Sequence, residues 1–333
     1  MYFKEKSILI IGATGTIGES LLNEILVQQP KMVRLFSRDE YKQIKLRERL
    51  GNIENIQFFI GDVRDNDRLL NAMVDIDYVF HLAAMKHVST CEYNPYEAVL
   101  TNINGTYNVI KSSLEKNVKK VIYISTDKAI FPSNTYGATK LTAERLITSA
   151  EYSKGNRSTT FAIVRLGNVI SSRGSVVPLF VRQILNDRRI TVTNLMMTRF
   201  MITLQQATTL TMKALKESKG GETFVLKMPV VRLKDLVTVV IEQTCEKYNI
   251  NAEDIKMETI GIRPGEKMYE ELMTPEELEV AMELSDMFVI PAFFKQTKGY
   301  EHSFRAEYGS YSSKTQKPLT LMQIRELLKN SFV

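Results

Sequence analysis

The sequence predicts an α/β fold, a doubly wound parallel sheet joined to a smaller α/β lobe. Three observations predict it. Short apolar runs rich in Ile, Val and Tyr recur at the spacing of one strand plus one helix, at residues 7–11, 32–36, 56–60, 78–82, 121–125 and 161–166. None of them alternates, and a continuous apolar strand is what a parallel sheet buried on both faces requires. The segments between, such as 17–28, 95–116 and 134–153, carry helical periodicity, so the first half reads βαβαβ. Past about Arg165 the elements shorten and turn residues intersperse, as in Gly167-Asn168, Arg173-Gly174-Ser175 and Arg263-Pro264-Gly265-Glu266. The expected organisation is a first domain over 1–165 and a smaller lobe over 166–333, some of whose segments return to the first domain. Without a Gly/Ser or Pro linker, the two should share a cleft at the carboxyl ends of the strands.

Taken in order, the elements also carry chemistry. The first strand runs into Gly12-Ala13-Thr14-Gly15-Thr16-Ile17-Gly18 and a helix. Glycines that follow a strand and open a helix let backbone N–H groups and the helix dipole face a pyrophosphate, so the sheet reads as Rossmann-like. The second strand ends in Ser37-Arg38, where an acid would be sought for a ribose 2′-hydroxyl. A hydroxyl and a guanidinium suit a 2′-phosphate, so the expected cofactor is NADP; the alternative leaves Arg38 a solvated loop residue beside Asp39 and Glu40. Asp62-Val63 closes the third strand, where an acid can accept from an adenine amino group. His81-Leu82-Ala83-Ala84 ends the fourth with small residues that let a cofactor lie close. The fifth ends in Ser125-Thr126-Asp127-Lys128, and the next helix carries Tyr136 and Lys140, four apart and so on one face. That spacing lets the Lys140 ammonium draw the Tyr136 phenol down from about 10, so that it takes a proton from an alcohol as hydride leaves.

Composition narrows the partners. The chain has 333 residues, 44% hydrophobic and 25% charged, which excludes disorder and fibrous repeats. Two cysteines, Cys91 and Cys245, provide neither a disulfide framework nor a zinc site, and suit a reducing cytosol. No metal site is expected. Apolar runs stay well short of the about 18 residues a membrane helix needs. The charge of +6 leaves nucleic acid, membrane or an anionic small molecule open. Its basic residues are scattered, with no base-stacking or groove-entering unit, so nucleic acid is not expected. The methionines Met196, Met197, Met201 and Met228 read as core filling.

The combination resembles the extended short-chain dehydrogenase/reductase superfamily, and within it the inverting UDP-N-acetylglucosamine 4,6-dehydratases that open the pseudaminic acid pathway of bacterial surface-sugar synthesis. The likeness runs in order through His81-Leu82-Ala83-Ala84-Met85-Lys86-His87-Val88, Glu92-Tyr93-Asn94-Pro95, Thr101-Asn102-Ile103, Ser125-Thr126-Asp127-Lys128-Ala129, Tyr136-Gly137-Ala138-Thr139-Lys140, Arg165-Leu166-Gly167-Asn168-Val169, Ser172-Arg173-Gly174-Ser175-Val176-Val177-Pro178, Met197-Thr198-Arg199-Phe200 and Gly261-Ile262-Arg263-Pro264-Gly265-Glu266-Lys267. Asp127-Lys128 is its most specific part. The resemblance implies UDP-GlcNAc as substrate, Tyr136 as the group that oxidises C4 with the cofactor, Lys128 as C5 base and Asp127 as C6 acid, with Thr126 on O4. It assigns the UDP moiety to Asn168, Arg199, Arg263 and Glu266, with Val176 close by; Lys86 faces sugar or cofactor or else is a solvated lysine, and Arg173 serves there or as a packing or interface residue. A basic Lys128 has to be partly neutral, which burial and Lys140 favour and Asp127 opposes.

Thr193-Asn194, Tyr269 and Lys314-Thr315-Gln316 depart from the family pattern on the sugar side. They leave three outcomes open: hydride to C6 with C5 inverted, hydride to C4 with release of a 5,6-ene, or C5 retained. Dimers through the helices of 95–116 and 134–153, or hexamers, are also implied. The competing readings are a 4-epimerase, against which Asp127-Lys128 argues, and a non-catalytic NADP-sensing or interaction protein, against which the complete Thr126, Asp127, Lys128, Tyr136, Lys140 set argues.

Overall fold

The structure, a computed structural model, describes residues 1–292, 299–300, 303–306 and 311–329. Strands β1 (Ser7–Ile11), β2 (Met32–Ser37), β3 (Ile56–Ile60), β4 (Tyr78–His81), β5 (Lys120–Thr126) and β6 (Thr160–Leu166) lie parallel in the order β3-β2-β1-β4-β5-β6. The order reverses beside β1, at the junction with β4 where such sheets open a ligand crevice. Burial explains why the strands read as unbroken apolar runs. On β1, Ile8 and Ile10 join the core on one face of the sheet while Leu9 and Ile11 join the core on the other.

Helices α1 (Thr16–Leu26), α2 (Glu40–Leu50) and α3 (Asn66–Ala72) connect the first strands. The expected single helix over 95–116 is interrupted: after α4 (Val88–Tyr93) come α5 (Pro95–Ala98), a π-helical stretch Val99–Asn104 and α6 (Gly105–Glu115). Asn102 sits in the widened turn and explains it. Its carboxamide accepts from the Met85 N–H (2.8 Å) and donates to the Met85 carbonyl (3.0 Å) and to Thr139 (2.9 Å), which ties the turn to the end of β4 and to α7 (Thr135–Ser153).

The second half contributes to two places. A lobe is built from β7 (Asn168–Val169), α8 (Val176–Asp187), β8 (Arg189–Val192), β9 (Thr198–Ile202), β11 (Val230–Arg232), α10 (Leu233–Tyr248), β12 (Lys256–Thr259) and α12 (Leu321–Leu328), around a core that includes Val177, Phe180, Val240 and Ile324. The remaining elements extend the large sheet to ten strands among the described residues. These are α9 (Leu204–Glu217), which lies against α1, and β10 (Thr223–Leu226), parallel to β6; α11 (Pro275–Val280), β13 (Met282–Glu283), β14 (Met287–Ile290) and β15 (Phe304–Arg305) complete that edge, with β14 antiparallel to β10. Met197, Met201 and Met228 are buried as expected, whereas Met196 is exposed in the turn before β9. Among the described residues no helix is long and apolar enough to cross a membrane.

Candidate active site

The glycine loop joins β1 to α1 by close approach. Gly12 has φ +88°, and a Cβ on it would stand 2.8 Å from the Ala83 nitrogen; one on Gly18 would stand 2.6 Å from the Gly12 carbonyl. Gly15 caps α1 without a side-chain hydrogen bond, so the N–H groups at Thr16, Ile17 and Gly18 form an uncapped helix start next to the small residues Ala83 and Ala84. This cradle fits the pyrophosphate of a dinucleotide. Arg173, reaching from the other side of the cleft, donates to the Thr14 carbonyl and to Glu19 (2.8 Å), and its N–H donates to Thr16 Oγ1 (3.2 Å). Lys86 Nζ in turn donates to the Arg173 carbonyl (2.8 Å).

At the far end of the crevice Arg38 is largely exposed, 3.8 Å from Asp62 Oδ2, while the Ser37 hydroxyl accepts from Gln43 (2.9 Å). Asp62 also meets a second arginine, Arg64. Arg64 donates to both of its oxygens (3.0 and 2.7 Å), and although burial alone would raise the carboxyl, these bonds hold it below the usual carboxylate range. The acid next to the buried Val63 is therefore already paired.

The catalytic candidates meet where β5 ends. Thr126 closes the strand, and Asp127, Lys128 and Ala129 form a single 3-10 turn against the first turn of α7, which Asn134 caps by accepting from the Gly137 N–H (2.8 Å). Asp127 is fully buried, and its Oδ1 accepts from Thr126 Oγ1 (2.9 Å) and Lys128 Nζ (3.0 Å). The electrostatics reverse two expectations. Burial alone would lower the Lys128 ammonium, but Asp127 and Glu270 outweigh it and hold it well above the ordinary lysine range. Tyr136 is pushed up to about 12 because burial outweighs the Lys128 charge and the hydrogen bond with Thr126. Lys140 does not offset that burial. Its Nζ donates to the Ile124 carbonyl (2.6 Å) and stands 4.0 Å from the Tyr123 ring centroid, and burial brings it down to about 7 against the pull of Glu144.

Beside this cluster opens a cavity of about 360 Å³. Lys86, Asn168, Val176, Arg199, Arg263 and Glu266 line it, so it gathers the residues expected on the sugar-nucleotide side, and Lys128 faces it from the reacting end. Its rim is docked onto the loop between Lys128 and Tyr136: Ser133 and Asn134 donate to the Gly265 carbonyl (2.9 and 3.0 Å), and Lys267 donates to the Ile130 carbonyl (2.9 Å). Arg199 donates to the carbonyls of Thr198 (2.8 Å) and Lys267 (2.8 Å) and lies 3.6 Å from Glu266. One cavity residue escaped the sequence reading. Glu270, buried with its Oε1 3.6 Å from Lys128 Nζ and 3.9 Å from Arg199 Nε, stands in an acid-rich stretch that reads as solvated surface.

Comparison with known proteins agrees with this architecture. A family model described as "Polysaccharide biosynthesis protein" matches residues 8–292. The chain is 46% identical to an uncharacterized membrane protein of Methanocaldococcus jannaschii (98% of this chain, 96% of the relative). It is 37% identical to a UDP-glucose 4-epimerase of Rickettsia bellii (98% and 96%) and 39% identical to a UDP-N-acetylglucosamine 4,6-dehydratase (inverting) of Campylobacter jejuni (88% and 85%). Among solved structures, Pen from Bacillus thuringiensis superposes with a TM-score of 0.95 at 56% identity, over 100% of this chain and 99% of that one. The chain therefore belongs to the polysaccharide biosynthesis protein family, built on the extended short-chain dehydrogenase/reductase fold.

Proposed function

We propose that the chain is an NADP-dependent hydro-lyase, a UDP-N-acetylglucosamine 4,6-dehydratase. It oxidises C4, eliminates water across C5 and C6 and reduces C6 with inversion at C5, to give UDP-2-acetamido-2,6-dideoxy-L-arabino-hexos-4-ulose for pseudaminic acid type surface sugars. The observation that carries this reading is the Asp127-Lys128 turn packed against the helix of Tyr136 and Lys140, beside an arginine-lined cavity. Oxidation of an alcohol needs one proton acceptor, and an elimination needs two proton carriers more. A 4-epimerase has no use for those two, which weighs against the activity named for the Rickettsia relative.

The cradle of Gly12, Thr14, Gly15, Thr16, Ile17 and Gly18, with Ser37, Arg38, Asp62, Val63, Ala83 and Ala84 along the crevice, would hold the cofactor, with Lys86, Tyr136 and Lys140 at its reacting end. Bound there, NADP would supply the hydride acceptor for C4 and the donor for the later reduction. Tyr136 takes the proton of the C4 hydroxyl, with Thr126 hydrogen-bonded beside it. The ketone acidifies C5–H, Lys128 removes that proton, Asp127 protonates the departing C6 hydroxyl, and as C6 is reduced Lys128 gives a proton to C5 from the opposite face. Arg199 and Arg263 suit the diphosphate through their planar forks, with Asn168, Val176 and Glu266 completing the nucleotide's surroundings.

Incubation with NADP and UDP-GlcNAc in deuterated water, followed by NMR, tests the reading. The expected product is the 4-keto-6-deoxy sugar with inverted, deuterated C5. No consumption of UDP-GlcNAc overturns the assignment, and a vinylic C6 signal would replace it with release of the 5,6-ene. Exposed Tyr93, Tyr96, Tyr107 and Tyr152 on α4 to α7 support a homo-oligomer, dimer or hexamer, through those helices. The unbridged Cys91 and Cys245 support a cytosolic setting.

A further inference from the structure

Lys128 is bracketed by two carboxylates, not one. Asp127 Oδ1 lies 3.0 Å from its Nζ on one side, and Glu270 Oε1 lies 3.6 Å away on another. Both acids are buried, and each keeps one oxygen, Asp127 Oδ2 and Glu270 Oε2, with no hydrogen-bond donor among the described residues. An unpaired buried carboxylate oxygen is costly, and a proton on it removes the cost. Glu270 is also held firmly. Its N–H donates to Ser313 Oγ (2.9 Å), and its carbonyl accepts from the Ser313 N–H (2.8 Å), so a segment some forty residues downstream holds the Glu270 backbone at the cavity wall.

The elimination makes two demands on the cluster that conflict in a simple ion pair. Asp127 has to carry a proton to give it away, and Lys128 has to lack one to take one. We infer that Glu270 is a positioning residue for the elimination: it accepts the proton that Lys128 sheds before acting as a base, so that Asp127 keeps its own for the departing hydroxyl. The inference rests on the dehydratase reading. In the transfer a Lys128 N–H bond breaks and a Glu270 O–H bond forms; ammonium and carboxylate become amine and carboxylic acid, and no electrons change hands. The net charge of the three groups stays zero, but none of them is then ionised, which burial favours. The charged groups facing Glu270 are Lys128 and Asp127 from the turn after β5, Arg199 from β9 and Lys267 from its own loop. Burial and Asp127 raise the Glu270 carboxyl, and the three cations only partly offset this.

Because Glu270 has to be ionised to accept that proton, elimination should fall as pH drops through its raised pKa. Glu270→Gln tests this with UDP-GlcNAc and NADP. The first-turnover formation of reduced cofactor, which reports C4 oxidation, should stay near wild type, while C5 deuterium exchange drops about 100-fold and the acid limb of its pH profile disappears. Glu270→Asp should restore part of the rate together with the limb. Equal loss of oxidation and exchange, or an unmoved acid limb, overturns the inference and leaves Glu270 a structural acid. A second measurement does not depend on the substrate: infrared difference spectra of the cofactor-free protein across a pH titration should contain a protonated-carboxyl band that Glu270→Gln removes and that persists above the pH at which an ordinary glutamate ionises. Absence of that band from the wild type overturns the inference, whereas wild-type protein that has the band and leaves UDP-GlcNAc untouched overturns only the dehydratase reading.

Discussion

Lys140 illustrates how burial alone sets the chemistry of a side chain. It is almost fully enclosed, its ammonium meets a backbone carbonyl and an aromatic face, and the resulting pKa of about 7 lies far below that of an unfolded lysine, about 10.4. The linkage has a definite sign. Between those two values the unfolded chain binds a proton that the folded chain does not, so stability rises with pH from about 7 to about 10; below 7 the folded protein carries the full cost of the buried charge. Lys140→Met removes this titration. The urea midpoints of the cofactor-free proteins should therefore differ in their pH dependence, the wild type gaining roughly 4 kcal/mol relative to the variant between pH 7 and 10. Parallel pH dependences would mean that the ammonium is not desolvated. Tyr136, pushed up to about 12 in the same cofactor-free protein, starts as a neutral phenol. The sequence spacing of four placed the two side chains on one helix face correctly but could not tell that the Ile124 carbonyl takes the ammonium.

At the scale of elements, the site depends on how α7 seats against the turn that follows β5. A Cβ on Gly137 would stand 2.1 Å from the Lys128 carbonyl and 3.0 Å from Pro132 Cβ, so no side chain fits there unless helix and turn separate. Gly137→Ala should cost about 2 kcal/mol in a urea titration and, by shifting Tyr136 relative to Asp127-Lys128, slow C5 exchange about 100-fold. A variant with wild-type midpoint and exchange would show that the two elements are not packed so closely. This seating also marks the limit of what the sequence made legible. The strands were readable because each is buried on both faces, and Asp127-Lys128 because it falls directly after one. Glu270 was not, since among Glu266, Glu271, Glu276 and Glu277 nothing local separates a buried acid from a solvated one. The same holds for Arg165, which reads as a strand end yet is buried between Glu144 (2.7 Å) and Glu277 (2.8 Å), joining α7 to the start of α11. Such pairings join residues more than twenty and more than a hundred positions apart, beyond the reach of periodicity or motif.

For the whole molecule, the question is what holds the lobe of α8, β9 and α10 against the glycine loop across the crevice. Arg173 is the residue that spans it, touching Thr14, Thr16 and Glu19 on one side while its own carbonyl is held by Lys86. Next to it, Gly174 packs so closely on His87 that a Cβ would meet the imidazole at 2.6 Å, so the 172–175 turn rests on the end of the large sheet as well. Here part of the net positive charge acquires a place, since a guanidinium at an uncapped helix start adds to the field that an anionic cofactor would meet. The side chain is half exposed, so its ion pair should contribute little to global stability, and its work should be local. Arg173→Ala is expected to leave the urea midpoint within about 0.5 kcal/mol of wild type while amide exchange across residues 14–19 and 171–176 accelerates about tenfold. Unchanged exchange would mean that the bridge does not couple the two sides. A loss of several kcal/mol in the midpoint would instead make Arg173 part of the folded core, and the crevice would then be closed by packing alone.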